Sequence, residues 1–142
     1  MSAAACQPSA SQQNLEKSPA GLEQKALTIR TAAGQLHRFT VEVARTPEEQ
    51  ERGLMHRQSL APDRGMIFPY DPPKQASFWM KNTFIPLDIV FVRLDGSIGR
   101  IETAVPLNLE PVASLEPIAS VLEIPGGRAA ELGIKAGDRV SW

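Results

Sequence analysis

The stretch FWMKNTFIPLDIVFV, residues 78–92, decides how the rest of the chain is read. From Leu87 to Val92 apolar side chains fall on both sides of an extended backbone, as in a strand buried on two faces. Asp88 interrupts that run. Pro86 and Val90 lie on its own side and Leu87, Ile89 and Phe91 on the other, so its carboxylate is expected inside the protein. A buried carboxylate without partners costs several kcal/mol, so it must be neutral, ion-paired or hydrogen-bonded. The nearby donors are Lys81, the Asn82 amide, the Trp79 indole and main-chain N–H groups. A tight hairpin facing residue 81 against 88 would put Phe84-Ile85 at the turn, where the residue types are wrong. A wider connection beginning at Lys81-Asn82-Thr83 is expected instead, with Asp88 shaping it.

Around this stretch the pattern is one of short strands with turn punctuation. Residues 35–44 place Phe39, Val41 and Val43 on one face and Arg38, Thr40 and Glu42 on the other. They follow KALTIRT across an Ala33-Gly34 break that reads as a hairpin. Further strands are expected at 65–69, 75–81, 87–94, 97–105, 118–124 and 138–142, and Asp95-Gly96 predicts a type I′ turn. Thr46, Pro47 and Glu49 form the signature of a capped helix start, with Gly53 at its end. A second short helix is expected from Gly127 to Leu132, after a Pro125-Gly126 turn. The expected fold is mainly β: a single-domain sandwich or barrel-like fold of about eight short strands with one or two short helices, over residues 25–142.

Residues 1–24, rich in Ala, Ser, Gln and Pro, lack an apolar period and read as a flexible tail. The single cysteine, Cys6, follows Ala3-Ala4-Ala5 and resembles the end of a bacterial lipoprotein signal, which makes it a lipidation candidate. The expectation is a signal peptide ahead of this tail and an exported protein in the periplasm or cell envelope, with a lipid anchor at Cys6. No run of the roughly 18 apolar residues needed to span a bilayer is present. A formal net charge of −1, with acids and bases mixed along the chain, argues against a nucleic-acid partner.

No cofactor motif stands out. His37 and His56 are isolated, so no metal-ligand spacing exists, and Gly126-Gly127 lacks the residues of a phosphate loop. Carboxylates remain. Asp88, Glu102 and Glu123 lie in expected strands beside large apolar residues, and a pair of them in a cleft would suit acid–base hydrolysis. Glu102, in an alternating segment, is expected to face water.

Several blocks together resemble a known family: Arg45-Thr46 with Glu48, GLM at 53–55, Arg57, Leu60, GMIF at 65–68, FWMKNTFIPLDIVFV, and VLEIPGG with LGIKAGDRV. In this order they are similar to domain of unknown function 192 (DUF192), over residues 26–142. The resemblance implies an all-β fold with small helices and members exported behind signal peptides; it brings no activity and no catalytic residues. It marks Arg45, Glu48, Met55, Arg57, Trp79, Lys81, Asn82, Asp88 and Glu123 as positions of interest. The expected function is a cell-envelope binding or accessory domain for a small polar ligand, a glycan or a partner peptide. Its candidate contacts are Met55, Arg57, Trp79, Lys81, Asn82, Asp88 and Glu123. The alternatives are a carboxylate-dependent hydrolase acting on an envelope polysaccharide and a purely structural or interaction role.

Overall fold

The computed structural model describes residues 15–142. Cys6 lies outside the described residues. The fold is mainly β, with nine strands and two short helices among the described residues. The strands are β1 (Gln24–Arg30), β2 (Leu36–Val43), β3 (Arg64–Lys74), β4 (Ser77–Phe78), β5 (Leu87–Val92), β6 (Ile98–Ala104), β7 (Val112–Ala113), β8 (Ile118–Pro125) and β9 (Arg139–Ser141). The helices are α1 (Pro47–Arg52) and α2 (Arg128–Leu132).

Seven strands form one sheet in the order β6-β5-β8-β3-β2-β1-β9, and β4 and β7 make a separate two-stranded ribbon. A bridge between Ser97 and Arg139 brings β9 round toward the start of β6, so the sheet curls into a half-barrel. All neighbours run antiparallel except β2 and β3, which are parallel because α1 carries the chain between them.

Every residue of β5 is buried, as its apolar run requires. Val90, Val92, Leu122 and Ile124 point inward with Leu27, Val41 and Ile98, while Leu87, Ile89, Phe91 and Val121 pack outward with Met66, Phe68 and Met80. Each such side chain contributes about 1.5–3 kcal/mol by leaving water. The two central strands therefore join two hydrophobic clusters.

Three local features differ from the sequence reading. The expected strand 75–81 shrinks to β4, and β3 instead runs on to Lys74 with a register break between Pro69 and Lys74. The Asp95-Gly96 hairpin is present, but only Gly96 has positive φ, at 88°. It follows a turn closed by the Gly96 N–H donating to the Arg93 carbonyl, while the Asp95 carboxylate accepts from the Ser97 N–H and hydroxyl. A type I turn with one left-handed glycine thus replaces the type I′ turn. Finally, the packed chain begins before residue 25: Ser18 is buried, and its hydroxyl donates to the Glu42 carboxylate at 2.8 Å.

Asp88 is 1% exposed, and its partners lie away from the loop it was expected to shape. Thr103 Oγ1 donates to its Oδ1 at 2.6 Å, the Gly127 N–H to Oδ1 at 3.0 Å and the Ala129 N–H to Oδ2 at 2.9 Å. The first residue ahead of α2, Gly127, has no side chain to cap the helix, so a carboxylate from the neighbouring strand does it. Gly126 is required at this junction, because a Cβ there would lie 2.8 Å from Pro86 Cβ. Asp88 anchors α2 rather than the Lys81-Asn82-Thr83 loop.

Helix α1 carries the capping box read from the sequence: the Thr46 hydroxyl accepts from the Glu49 N–H, and the Glu49 carboxylate accepts from the Thr46 N–H. Thr46→Ala should cost about 1 kcal/mol in denaturant unfolding; an unchanged midpoint would remove the cap. Asp88→Ala should cost more than about 2 kcal/mol, because the Thr103 hydroxyl and the two amides at the start of α2 lose their acceptor. A loss below about 0.5 kcal/mol would mean that water replaces the carboxylate without penalty.

Candidate functional site

On the outer face of the sheet the short α1 leaves a cleft uncovered. Gln50 fixes the helix in place, its amide donating to the carbonyls of Ala44 and Pro69 at 3.0 Å each. That bond turns Glu51 and Arg52 toward a cavity of about 250 Å³, floored by Phe68 and Tyr70 of β3 and Glu123 of β8. Ser77, Phe78, Trp79 and Thr83 form the opposite wall, and Phe78 meets Phe68 edge-on at 5.1 Å between ring centroids. The cavity opens past Met55 and Trp79 into a shallower basin of about 460 Å³ lined also by His56, Lys81 and Asn82.

The rim is held in an unusual backbone conformation. His56 and Asn82 both have positive φ, at 68° and 54°, and the His56 N–H donates to the Asn82 carbonyl at 2.8 Å. Left-handed geometry costs a non-glycine residue roughly 1 kcal/mol, and surrounding contacts must over-determine it. Here it joins the turn after α1 to the loop before β5, so the two lips of the basin are fixed to each other. Trp79 stands 49% exposed at the mouth, with the Lys81 ammonium 5.2 Å from its ring centroid.

Glu123 is the chemically unusual group. It is 5% exposed, and it projects from the middle of the sheet between Met66 of β3 and Ile89 of β5. Among the described residues no side chain or amide hydrogen-bonds its carboxyl, and burial pushes its pKa from the ordinary 4.5 up to about 8. Tyr70 beside it is also pushed up, by burial and then by the Glu123 charge.

Five of the seven candidate contacts thus meet at one hollow: Met55, Trp79, Lys81, Asn82 and Glu123. The other two do not. Asp88 faces the inner cluster, since it pairs with Ile124 while Glu123 pairs with Ile89, and successive residues of a strand alternate sides. Asp88 and Glu123 are therefore on opposite faces and form no acid–base pair. Arg57 is committed elsewhere, binding the Glu42 carboxylate with both terminal nitrogens at 2.8 and 3.0 Å. Burial pushes Glu42 up, but the Arg57 and Ser18 hydrogen bonds outweigh it and hold the carboxyl below its ordinary range. Glu102 is half-exposed and paired with Arg100. Sequence reasoning missed Glu51 and Arg52, whose only signal was their place in a short capped helix, Tyr70, in an unexpected strand extension, and Phe78, in the expected strand 75–81. Among the described residues no group of three or more His, Cys, Asp or Glu side chains is placed to hold a metal ion.

The raised pKa of Glu123 predicts a stability slope. Between about 4.5 and 8 the folded chain keeps a proton that the unfolded chain has lost, so stability falls as pH rises through that window. The slope is at most ~1.4 kcal/mol per pH unit. Urea midpoints across the window should show this decline, and Glu123→Gln should flatten it. A slope shared by both proteins would assign it to another group.

The described helices include none long and apolar enough to cross a membrane. No curated protein matches the chain. Two crystal structures are similar over most of it. One is a protein of unknown function from Novosphingobium aromaticivorans DSM 12444, 45% identical, covering 96% of this chain and 98% of that one, with a TM-score of 0.88. The other, from Sinorhizobium meliloti 1021, is described as a "putative transcription regulator". It is 41% identical, covering 84% of this chain and 94% of that one, with a TM-score of 0.83. The family model DUF192 (Uncharacterized ACR, COG1430) matches residues 28–142. With the cleft and its rim built from that matched region, the chain belongs to the DUF192 family.

Proposed function

We propose that the protein is an exported cell-envelope binding domain whose cleft takes a small polar ligand, a glycan or a peptide segment. One observation carries the reading: residues far apart in sequence, from Met55 to Glu123, converge on a single fixed hollow with an exposed tryptophan at its mouth and a buried acid on its floor. An aromatic plate beside a few polar groups is the usual lining of a small-ligand site. Support for export comes from the lipoprotein-like Ala3-Ala4-Ala5-Cys6 and the family resemblance.

Binding is favoured over hydrolysis by the separation of the carboxylates. Two-carboxylate hydrolases place both groups across one open cleft, about 5 to 10 Å apart. Here Asp88, the other acid of the expected pair, is occupied by Thr103 and α2 on the other face, and the second acid lining the cavity, Glu51, is an exposed residue of α1. The regulator description belongs to the Sinorhizobium protein. Nucleic-acid binding would call for a basic face, and this chain has a formal net charge of −1.

The test is an amide and indole NMR titration with peptidoglycan glycan fragments, short peptides and small polar amines and acids. The expected result is that at least one class shifts Met55, Trp79, Lys81 and Asn82 together, and that Trp79→Ala weakens it by about tenfold or more. Shifts confined to other surfaces, or none with any class, would overturn the reading.

A further inference from the structure

Glu123 is a buried acid that no neighbouring side chain or amide among the described residues partners. The residue is 5% exposed yet lines the cavity, and no described residue donates to its carboxyl. The other buried carboxylates are all satisfied: Glu42 by Arg57 and Ser18, Asp88 by Thr103 and two amides, and Asp138 by the amides of Ala32 and Lys135. An unsatisfied group at the floor of an open cavity leaves its partner to be supplied from outside.

The surroundings select the partner's chemistry. Tyr70 from β3 and the consecutive Phe78 and Trp79 at the end of β4 line the same cavity, with Met55 at its mouth. Aromatic faces and a thioether attract a soft cation and offer little to an anion. The charged and titratable groups that share the cavity with Glu123 are few. They are Tyr70 from β3 and Glu51 and Arg52 from α1, while the residues opposite Glu123 on β3 and β5 are Met66 and Ile89. Arg52 makes no ion pair with Glu123.

We propose that the cleft recognises an aliphatic ammonium group, which enters between the aromatic walls and pairs with the Glu123 carboxylate. This deepens the binding reading above and rests on it. The ammonium belongs to a small amine or quaternary amine, or to a lysine side chain; both present the same charge on an apolar stem.

Binding then carries a signature that a neutral or anionic ligand does not share. The empty site holds a proton on Glu123 up to about pH 8, and a cation must displace it. Affinity for a permanently charged ligand therefore rises with pH, approaching tenfold per unit below that value and levelling above it. A ligand carboxylate needs the protonated acid as donor, so its affinity falls over the same range, whereas a neutral hydroxyl can donate to the ionised acid or accept from the protonated one and lacks the charge attraction that favours choline over its uncharged isostere.

The experiment uses the Trp142→Phe protein, in which Trp79 is the remaining tryptophan and is excited selectively over Tyr70 at long wavelength. The probes are choline, its uncharged isostere 3,3-dimethylbutan-1-ol, and Nα-acetyl-lysine methylamide, each titrated from acid to mildly alkaline pH. The proposal expects choline or the lysine derivative to bind at least about tenfold more tightly than the alcohol at high pH, with affinity rising with pH and a proton released on binding. The tighter of the two identifies the source of the ammonium. Glu123→Gln, isosteric with the protonated acid, should lose that preference and the pH slope, whereas Trp79→Ala, which removes the fluorescent reporter and is followed by titration calorimetry instead, should weaken binding and keep the slope.

Equal affinity for choline, the lysine derivative and the alcohol, or affinity that falls as pH rises, would overturn the ammonium assignment. So would a slope retained in Glu123→Gln. In those cases a glycan, peptide or acid that still shifts the cleft resonances leaves the binding reading standing. If no compound of any class reaches the cleft, both fail together.

Discussion

Burial of the two adjacent strands β5 and β8 on both faces is the constraint from which the rest of the structure follows. A strand covered on one side only leaves a sheet with a wet face. Covering both sides requires the sheet to curl around one cluster and to find a second layer for the other. The inner cluster is closed by β9, β1 and the residues around α2; the outer one by Leu54, Met80 and the β4–β7 ribbon. That outer cover is thin, being made of a short helix and loops, and the cleft is where it fails to close.

The same constraint assigns the two unusual acids opposite fates. Each sits in a central strand where water is excluded, and the alternation of side chains sends one inward and the other outward. Inward, Asp88 meets the start of a helix that has no cap of its own, and three donors satisfy it. Outward, Glu123 meets aromatic rings and open space. Burial without donors raises its pKa; burial with donors makes Asp88 a structural joint. The chemistry of each carboxylate is thus a consequence of strand parity.

The cleft also depends on a fixed rim. The capping box determines where α1 begins, Gln50 ties the helix to β3, and the left-handed His56 and Asn82 lock the following turn to the loop before β5. With both lips held by main-chain bonds, the ligand need not organise the site before it binds, and the entropic cost of association falls accordingly.

Much of this was legible in the sequence because it is local. The unbroken apolar run from Leu87 to Val92 indicated a doubly buried strand; Thr46, Pro47 and Glu49 marked the helix start; Gly34 and Gly96 marked the hairpins. That Asp88 would be buried and hydrogen-bonded also followed from its neighbours. Which donors it takes did not, because the amides of Gly127 and Ala129 are some forty residues away, as their separations of 39 and 41 show. Nor could spacing reveal that Glu123 opens into a cavity while Arg57 turns to Glu42, since both outcomes depend on which strand lies beside which. The sequence by itself determined which residues leave water and where the chain turns. Only the tertiary structure decided which buried acid found partners and which was left facing a hollow, because partners for a buried charge come from strand order and register, and these are properties of the whole sheet.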